Sequence, residues 1–314
     1  MKKKRIIEIA ATAAVAIAIT GWAGGWFDGS DAGKQGGELA DPVDVEDVSV
    51  PSNEIRESSE NLLLQRPNPR TTDFYPSDKT LEGLEIPYYF EDNHATLIGH
   101  MGHTLSYNEE DRIPNWVAWE LRATELHGNL DRKEGFSPDP AVKGRQAYDS
   151  DYKGSGWDRG HMAPSGDMKW SSQALEECYY LSNICPQNHN LNAGLWNDLE
   201  KQTRYEAKYY GRVWVVCGPV PNEIGKAVIG RNHVKVPARF FKALLARRKD
   251  GTYASVGFIF PNEPGAGRTL KDFAKTVDEL EKQIGMDLVY NLDERYQAPA
   301  EASFDLYKDW RIRD

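Results

Sequence analysis

Apolar and polar positions alternate in several short runs of the chain, which is the pattern of β-strands. The stretch "TLSYNEEDRIPNWVAWELRATEL" (residues 104–126) alternates in this way around Trp116 and Trp119 and contains one proline. It predicts two strands separated by a turn that the proline marks. The run "RVWVVCGPV" (residues 212–220) is apolar until Gly-Pro stops it, as expected for a buried strand.

A third strand-rich stretch is "HVKVPARFFKALLARRKDGTYASVGFIFPN" (residues 233–262). Its two apolar halves are separated by Asp250-Gly251, and Asp-Gly between such runs is a strong signal for a β-hairpin. The pattern therefore predicts strand segments that fold back on each other at this turn.

Two stretches have helical spacing instead. In residues 192–209 the apolar side chains Leu195, Trp196 and Leu199 share one helical face. A second helix is predicted to start at the capping box formed by Thr276 and Glu279 and to end at Gly285. Strands and helices are mixed without an internal repeat, so residues 81–314 are predicted to form one α+β domain.

The N-terminus differs from this domain. Four basic residues (2–5) precede the apolar residues 6–27, which resembles a secretory signal with a cut after Ala23. The alternative is an uncleaved membrane anchor that spans residues 6–27, with Glu8 at the interface. Residues 1–27 therefore predict export, to the periplasm or the extracellular space, with or without membrane anchoring.

Residues 28–80 are predicted to be a flexible acidic linker, because they are rich in Gly, Ser, Pro, Asp and Glu without sustained periodicity. The net charge of −10 argues against bulk attraction to nucleic acid. However, residues 201–249 contain twelve Lys or Arg against two acidic residues. This local excess fits either a polyanionic ligand or a solvated basic face.

The chain has three cysteines. If "YYLSNIC" is one extended strand, Cys178 and Cys185 lie about 23 Å apart, at ~3.3 Å per residue. A disulfide needs Cα atoms within about 7 Å, so any bridge would have to use Cys217. We therefore predict no essential disulfide.

Candidate chemistry begins in "WDRGHMAPSGDM" (residues 157–168), where Gly160 separates Arg159 from His161. A histidine accepts a proton near neutral pH, and a flanking glycine would let a ligand approach closely. A lone histidine is nevertheless more often a surface or core residue than a catalytic one.

Amide side chains crowd the stretch that follows, "YYLSNICPQNHNLNAGLWNDLE" (residues 179–200); they are Asn183, Gln187, Asn188, Asn190 and Asn192. Amide oxygens suit Mg²⁺ or Ca²⁺ better than zinc. On a regular helix Glu200 would lie about 80° around and roughly 12 Å along from Asn192. Glu200 is therefore expected to reach a metal held by Asn192 only through a water. Ordinary asparagine capping beside an exposed glutamate is the alternative.

Taken together, these residues resemble a known family. Three neighbouring motifs are similar to those of the DNA/RNA non-specific endonucleases of the ββα-metal fold. They are Asp158-Arg159-Gly160-His161 with Met-Ala-Pro, then Leu181-Ser182-Asn183-Ile184 with Pro186-Gln187, then Leu191-Asn192 with Gly194, Trp196 and Leu199-Glu200. Weaker similarity extends over most of residues 85–295. The resemblance implies a central antiparallel sheet flanked by helices.

The resemblance also implies roles for single residues. His161 matches the general base, Asn192 the protein metal ligand, and Glu200 the acid that orders water on the metal. Arg159 matches an arginine near the scissile phosphate and Asn183 a site asparagine. Arg112 is the nearest counterpart of a further upstream arginine.

The implied activity is hydrolysis of DNA and RNA to 5′-phosphate and 3′-hydroxyl ends, with Mg²⁺ as cofactor and Mn²⁺ or Ca²⁺ as alternatives. One protein ligand is acceptable for Mg²⁺, which keeps several waters. Because no residue of the motif reads base edges, sequence tolerance is expected. Residues 201–249 then become a candidate groove that follows the nucleic-acid backbone.

Two competing hypotheses remain at this point. "HATLIGHMGH" places His94, His100 and His103 close together, and such clusters can bind zinc, although intervals of six and three are not a usual zinc spacing. The second hypothesis is a non-catalytic nucleic-acid-binding envelope protein on the same fold. It requires the residues at the catalytic positions to be inactive.

Overall fold

The strand-forming segments assemble around one large antiparallel sheet. A computed structural model describes residues 83–89, 95–265 and 267–312, so the predicted leader, linker and His94 lie outside the described residues. The strands are β1 (Tyr88–Tyr89), β2 (Ala95–Gly99), β3 (Thr104–Asn108), β4 (Ile113–Arg122), β5 (Asp158–His161), β6 (Ile184–Gln187), β7 (Arg212–Pro219), β8 (Ile224–Ile229), β9 (Val234–Pro237), β10 (Arg239–Arg247), β11 (Tyr253–Pro261), β12 (Ala274–Lys275) and β13 (Met286–Asp287).

Within the described residues the large sheet has seven strands in the order β12-β11-β10-β7-β4-β3-β2. All of its neighbouring strands are antiparallel, and β1-β13, β5-β6 and β8-β9 form separate pairs. The hairpin predicted at Asp250-Gly251 is confirmed as the β10-β11 connection, in which Gly251 has a φ of 86°.

The sheet separates two hydrophobic cores. Successive residues of a strand point to opposite faces, so Val213 and Val215 of β7 enter one core while Trp214 and Val216 enter the other. This explains why the run is apolar throughout rather than alternating, because both faces of the strand are covered.

The helices cover the two faces of the sheet. They are α1 (Asp149–Tyr152), α2 (Ser172–Glu177), α3 (His189–Leu191), α4 (Asn197–Tyr210), α5 (Val277–Ile284) and α6 (Glu294–Glu301), with a π-helical segment at Asn192–Trp196. Short 3₁₀ segments lie at Ala123–His127, Ser165–Asp167, Leu181–Asn183, Pro221–Glu223 and Leu270–Phe273. The capping box of Thr276 and the end at Gly285 are confirmed for α5. These elements confirm the predicted α+β class.

The structure differs from three local expectations in detail. Residues 178–185 are not one strand, because α2 is followed by a 3₁₀ turn and only then by β6. The turn between β3 and β4 precedes Pro114, which lies inside β4 near an irregularity in the strand register. The helix predicted over residues 192–209 is interrupted, since Gly194 has the non-helical φ of −101° and ψ of −114°.

Among the described residues no helix combines the length and the apolar character that a membrane span requires. The candidate anchor, residues 6–27, lies outside them.

Candidate active site

The predicted site residues lie on a ββα unit formed by β5, β6 and the helical segment that begins with α3. His161 is the last residue of β5 and pairs with Ile184 of β6. The indole Nε1 of Trp196 donates a hydrogen bond of 3.1 Å to the His161 carbonyl oxygen. The hairpin and the helical segment therefore fix the backbone of His161 from two sides.

The imidazole of His161 lies in an aromatic setting. The ring centroids of Phe136 and Tyr179 are 5.3 Å and 4.9 Å from its own, and the residue is 8% exposed. Its Nε2 is buried and has no hydrogen-bond partner among the described residues. Burial, and secondarily the positive charge of Arg132, lowers the pKa of His161 to about 3. His161 is therefore a neutral imidazole whose ring nitrogens make no hydrogen bond to the described residues.

Asn183 fixes the chain just after His161. Its Oδ1 accepts a hydrogen bond of 2.9 Å from the Ala163 amide, and its Nδ2 donates to the carbonyl oxygens of Ala163 and Cys178 at 2.9 and 2.8 Å. Asn183 is fully buried and lies in the 3₁₀ turn before β6, not on the strand. Since both ends of its amide bind backbone, the structure gives it a positioning role behind His161.

Gly160 also serves packing. A Cβ atom at this position would lie 2.4 Å from Oε1 and 2.6 Å from Cβ of Gln187. The space that was expected to admit a ligand is therefore filled by the Gln187 side chain from β6.

Asn192 is oriented by Asp158. Its Nδ2 donates a hydrogen bond of 2.9 Å to Oδ2 of Asp158, which also lies 2.9 Å from Nδ1 of His189. Anchoring the amide nitrogen leaves the Oδ1 of Asn192 as the group that can ligate a cation. A hard, neutral oxygen of this kind, with carboxylates nearby, fits a divalent ion such as Mg²⁺. The sequence assigned no role to Asp158.

Glu200 lies on α4 near several charges. Burial raises the pKa of its carboxyl to about 7, although the positive charges of Lys242, Arg204 and Arg132 act in the opposite direction. The expected offset of about 80° from Asn192 assumed a regular helix, and the π-helical segment at Asn192–Trp196 removes that assumption. The spacing alone therefore does not decide how Glu200 would reach a metal.

Arg159 is held beside Phe136, one of the two rings that pack against His161. Its Nε donates a hydrogen bond of 2.6 Å to Oδ1 of Asp149, and its guanidinium carbon lies 5.7 Å from the ring centroid of Phe136 and 5.4 Å from that of Tyr152. Because Phe136 also packs against His161, Arg159 borders the imidazole. Its ion pair is partly exposed, so an incoming phosphate can replace Asp149 as its partner.

Two further arginines that the sequence did not single out lie near the candidate site. The exposed Arg132 donates from Nε to the hydroxyl of Tyr179 at 3.0 Å and acts electrostatically on both His161 and Glu200. Arg204 follows Glu200 by one helical turn and donates to the buried Asp167 at 2.8 Å. Helical spacing would have found Arg204, but no local pattern marks Arg132.

Arg112 is placed elsewhere. It lies in the β3-β4 turn with a φ of 59°, and its guanidinium donates to the carbonyl oxygens of Glu110 and His233. The arginine that the contacts place beside His161 is therefore Arg132, and the assignment of Arg112 was wrong.

The histidine cluster is a structural network in its described part. His100 and Ser182 both bind Oδ2 of the buried Asp139, at 2.9 and 2.5 Å, and the His103 ring lies 4.9 Å from that of His100. Among the described residues the metal-type cluster of His, Cys, Asp and Glu side chains is Asp278, Glu281 and Glu301, on the other side of the sheet. The zinc alternative therefore finds no support in His100 and His103.

The basic residues 201–249 do not form one continuous groove. Four arginines of this segment are each paired with an acidic side chain, and Lys242 is buried. The four are Arg204, Arg212, Arg239 and Arg248. Both acids of the segment are also paired, Glu206 with Arg311 and Glu223 with Arg239. The free positive charge is therefore divided among α4, the β8-β9 pair and the β10-β11 turn.

Cys178, Cys185 and Cys217 are free and buried. Their state agrees with the prediction of no disulfide, but the reasoning from an extended strand does not hold.

Comparison with known proteins gives one consistent result. The model of the DNA/RNA non-specific endonuclease family matches residues 88–295. The mitochondrial nuclease EXOG of Danio rerio is 42% identical over 198 residues, which cover 59% of this chain and 58% of that protein. The mitochondrial endonuclease G of Homo sapiens is 35% identical over 210 residues, covering 63% and 71% of the two chains.

A solved structure, described as the crystal structure of the EndoG/EndoGI complex and the mechanism of EndoG inhibition, superposes with a TM-score of 0.60 at 28% identity. It covers 64% of this chain and 88% of the other chain. This likeness confirms the predicted ββα-metal nuclease fold.

Proposed function

Because this chain belongs to the DNA/RNA non-specific endonuclease family, we propose that it is a metal-dependent endonuclease that hydrolyses phosphodiester bonds of DNA and RNA without sequence preference. The observation that carries the proposal is the neutral imidazole of His161 on the same ββα unit as Asn192, whose Oδ1 can ligate a cation. The proposed ion is Mg²⁺, with Mn²⁺ or Ca²⁺ as alternatives.

His161 accepts the proton. Its imidazole removes a proton from a water as the water oxygen bonds to phosphorus. The bond between phosphorus and the 3′ oxygen then breaks with its electron pair staying on that oxygen, which takes a proton from a water, so the products are a 5′-phosphate and a 3′-hydroxyl. A base with a pKa of about 3 is weak in the free protein. The negative phosphodiester raises that pKa on binding, directly and by neutralising Arg132.

The other residues hold and stabilise the reacting group. Asn192 would hold the metal through Oδ1 and Glu200 would hold it through water; the bound ion would offset negative charge on the leaving oxygen. Arg159 and Arg132 bind the non-bridging phosphate oxygens, and Arg204 adds positive charge beside Glu200. Asn183 and Trp196 keep His161 in place through its backbone.

The test is a cleavage assay with a matched variant. Supercoiled plasmid and total RNA are incubated with the purified protein or with His161→Ala, each with Mg²⁺ or with EDTA. We expect both substrates to be cut by the parental protein with Mg²⁺ only, and a loss of at least about a thousandfold in the variant. Bound but intact nucleic acid in every sample would instead support the non-catalytic binding protein.

The location of the protein stays a prediction. Export to the periplasm or the extracellular space, with or without an anchor at residues 6–27, follows from the leader pattern alone. N-terminal sequencing of the protein from each cell fraction would test it, and an intact Met1 in the soluble fraction of the cell interior would contradict it.

A further inference from the structure

One exposed face of α4 combines lysine and tyrosine side chains next to the candidate active site. The residues that form this tyrosine–lysine face are Lys201, Tyr205, Lys208 and Tyr209. Tyr205 is 55% exposed and Tyr209 is 53% exposed, which is unusual for large aromatic rings. At 3.6 residues per turn the four side chains lie within about 100° of arc.

The face borders the catalytic residues of the same helix. Arg204 lies about 40° from the edge of the face and Glu200 about 40° further round, by the same helical spacing. At ~1.5 Å per residue, Tyr205 lies about 7.5 Å and Tyr209 about 13.5 Å along the axis from Glu200. A strand that runs along α4 from a phosphate near Arg204 would pass over these tyrosines within a few nucleotides.

Tyr209 is fixed in place before any ligand arrives. The guanidinium carbon of Arg311 lies 3.6 Å from its ring centroid, and the same guanidinium pairs with the buried Glu206. Tyr210 packs against the ring at 5.0 Å in an edge arrangement. Little side-chain entropy is therefore lost when a second flat group stacks on the Tyr209 ring.

The charge of the face selects the kind of ligand. Lys201 and Lys208 are exposed, and the nearby acid Asp198 is paired with Lys201 at 3.1 Å in a solvated ion pair. Glu206, the other acid of this part of α4, is buried and faces the core. Alternating cations and aromatic rings match the alternating phosphates and bases of a nucleic-acid strand.

We propose that the tyrosine–lysine face binds unpaired bases of the strand next to the scissile phosphate, so that single-stranded or locally opened DNA and RNA are the preferred substrates. Stacking needs an exposed base face, which a paired duplex does not offer except at its ends. The two tyrosines are about 6 Å apart along the helix, close to two stacking intervals of roughly 3.4 Å. The inference rests on the proposed nuclease function.

The experiment removes the rings and keeps the fold. Tyr205→Ala/Tyr209→Ala is compared with Tyr205→Phe/Tyr209→Phe, which keeps both rings, and with Tyr290→Ala, an exposed tyrosine on the opposite side of the sheet. Circular dichroism and thermal melting confirm that each variant is folded. Cleavage rates are measured on a labelled single-stranded oligonucleotide of about 20 nucleotides and on the same strand in a duplex.

We expect the double alanine variant to raise KM for the single strand about tenfold or more, with kcat and the duplex KM within about twofold. The phenylalanine and Tyr290 variants should match the parental protein. An unchanged single-strand KM, or an equal rise for single strand and duplex, would overturn the inference.

Failure of the proposed function is distinguishable from failure of the inference. If the parental protein cuts neither substrate, the nuclease proposal fails. Equilibrium binding of the same labelled single strand in EDTA, followed by fluorescence anisotropy, then tests the face alone. Binding that weakens about tenfold in Tyr205→Ala/Tyr209→Ala supports the inference, and equal binding overturns it.

Discussion

Asp158 links the two halves of the candidate site at the scale of single residues. It lies on β5, three residues before His161, yet its carboxylate binds the amide of Asn192 on the helical segment. A carboxylate that binds the amide nitrogen of a metal-ligating asparagine leaves the amide oxygen to face the ion. Asp158 therefore sets the orientation of Asn192.

We expect Asp158→Ala to raise the Mg²⁺ concentration for half-maximal cleavage about 10- to 100-fold, because Asn192 loses the contact that orients it. Metal titration of the cleavage rate measures this. Asp158→Glu is the matched variant, since it keeps the charge and should recover part of the loss. If Asp158→Ala needs the same Mg²⁺ concentration as the parental protein, Asp158 does not orient the metal ligand.

We expect the pH dependence of cleavage to follow from Glu200 rather than from His161. His161, with a pKa of about 3, is neutral throughout pH 5–8, so it contributes no slope there. Glu200 has a pKa raised to about 7 by burial and gains its charge as the pH rises through that value. We expect kcat/KM to rise from pH 5 and to level off above about pH 7.

The matched variant is Glu200→Gln, which should be less active and should lose this slope. A rise that persists unchanged in Glu200→Gln would assign the titration to another group. This expectation differs from the one that an ordinary histidine base would give, with a rise near pH 6.5.

Most residues of the candidate site could be predicted from the sequence because the residues of the motif are close together along the chain. His161, Asn192 and Glu200 lie within forty residues, and the hairpin and helix between them are local structures. Arg132 could not be predicted, because it lies in a loop and reaches His161 only through tertiary packing against Tyr179. Arg112 was chosen in its place for lack of any local signal.

At the scale of elements, α4 is held by the C-terminal segment, residues 304–312. The Trp310 ring is fully buried and its carbonyl oxygen accepts a hydrogen bond of 2.7 Å from Gln202. Arg248 forms two hydrogen bonds of 2.9 Å with Asp309. This segment lies beyond the residues that match the family model. It stabilises the helix that carries Glu200 and the tyrosine–lysine face.

Trp310→Ala should therefore lower the free energy of unfolding by about 3–5 kcal/mol, because it leaves a large cavity beside α4. Urea denaturation followed by tryptophan fluorescence or circular dichroism gives the value. The matched change is Tyr307→Ala at a side chain that is 66% exposed, for which we expect about 0.5 kcal/mol or less. Equal effects of the two variants would argue that the segment does not stabilise the helix.

The elements themselves were predicted with uneven success, for physical reasons. The strands β7, β10 and β11 and the helix α5 carry strong local signals in their apolar runs, turn residues and caps. The break at Gly194 and the turn between Cys178 and β6 have no such signal, because tertiary contacts of the ββα unit impose them. A regular-helix or regular-strand assumption fails at both places.

At the scale of the whole molecule, the side of the sheet opposite the candidate site carries a cluster of acids. Ligand-type oxygens of Asp278, Glu281 and Glu301 lie within 4.8 Å of one another. Burial raises the pKa of Glu281 to about 8 and that of Glu301 to about 7. A folded-state pKa above the ordinary value favours folding at low pH. That contribution is lost as the pH rises through the folded pKa.

We therefore expect the free energy of unfolding to fall between about pH 5 and pH 8, and Glu281→Gln to flatten this decline, since glutamine stays neutral. Thermal melting across the range measures it. The exposed Glu263→Gln serves as the matched change and should leave the decline as it is. A variant that melts like the parental protein at every pH would exclude Glu281 as the cause.

The burial of the three cysteines affects how fast the protein is chemically modified. Burial raises the pKa of Cys217 to about 12 and also raises the pKa of the Cys178 and Cys185 thiols. Oxidants and alkylating reagents attack thiolates, so the folded chain is nearly inert to them. Each unfolding event exposes all three sulfur atoms at once. In the presence of oxidants the thiols would therefore stay unmodified while the protein is folded. The rate at which iodoacetamide labels the thiols would report how often the protein unfolds.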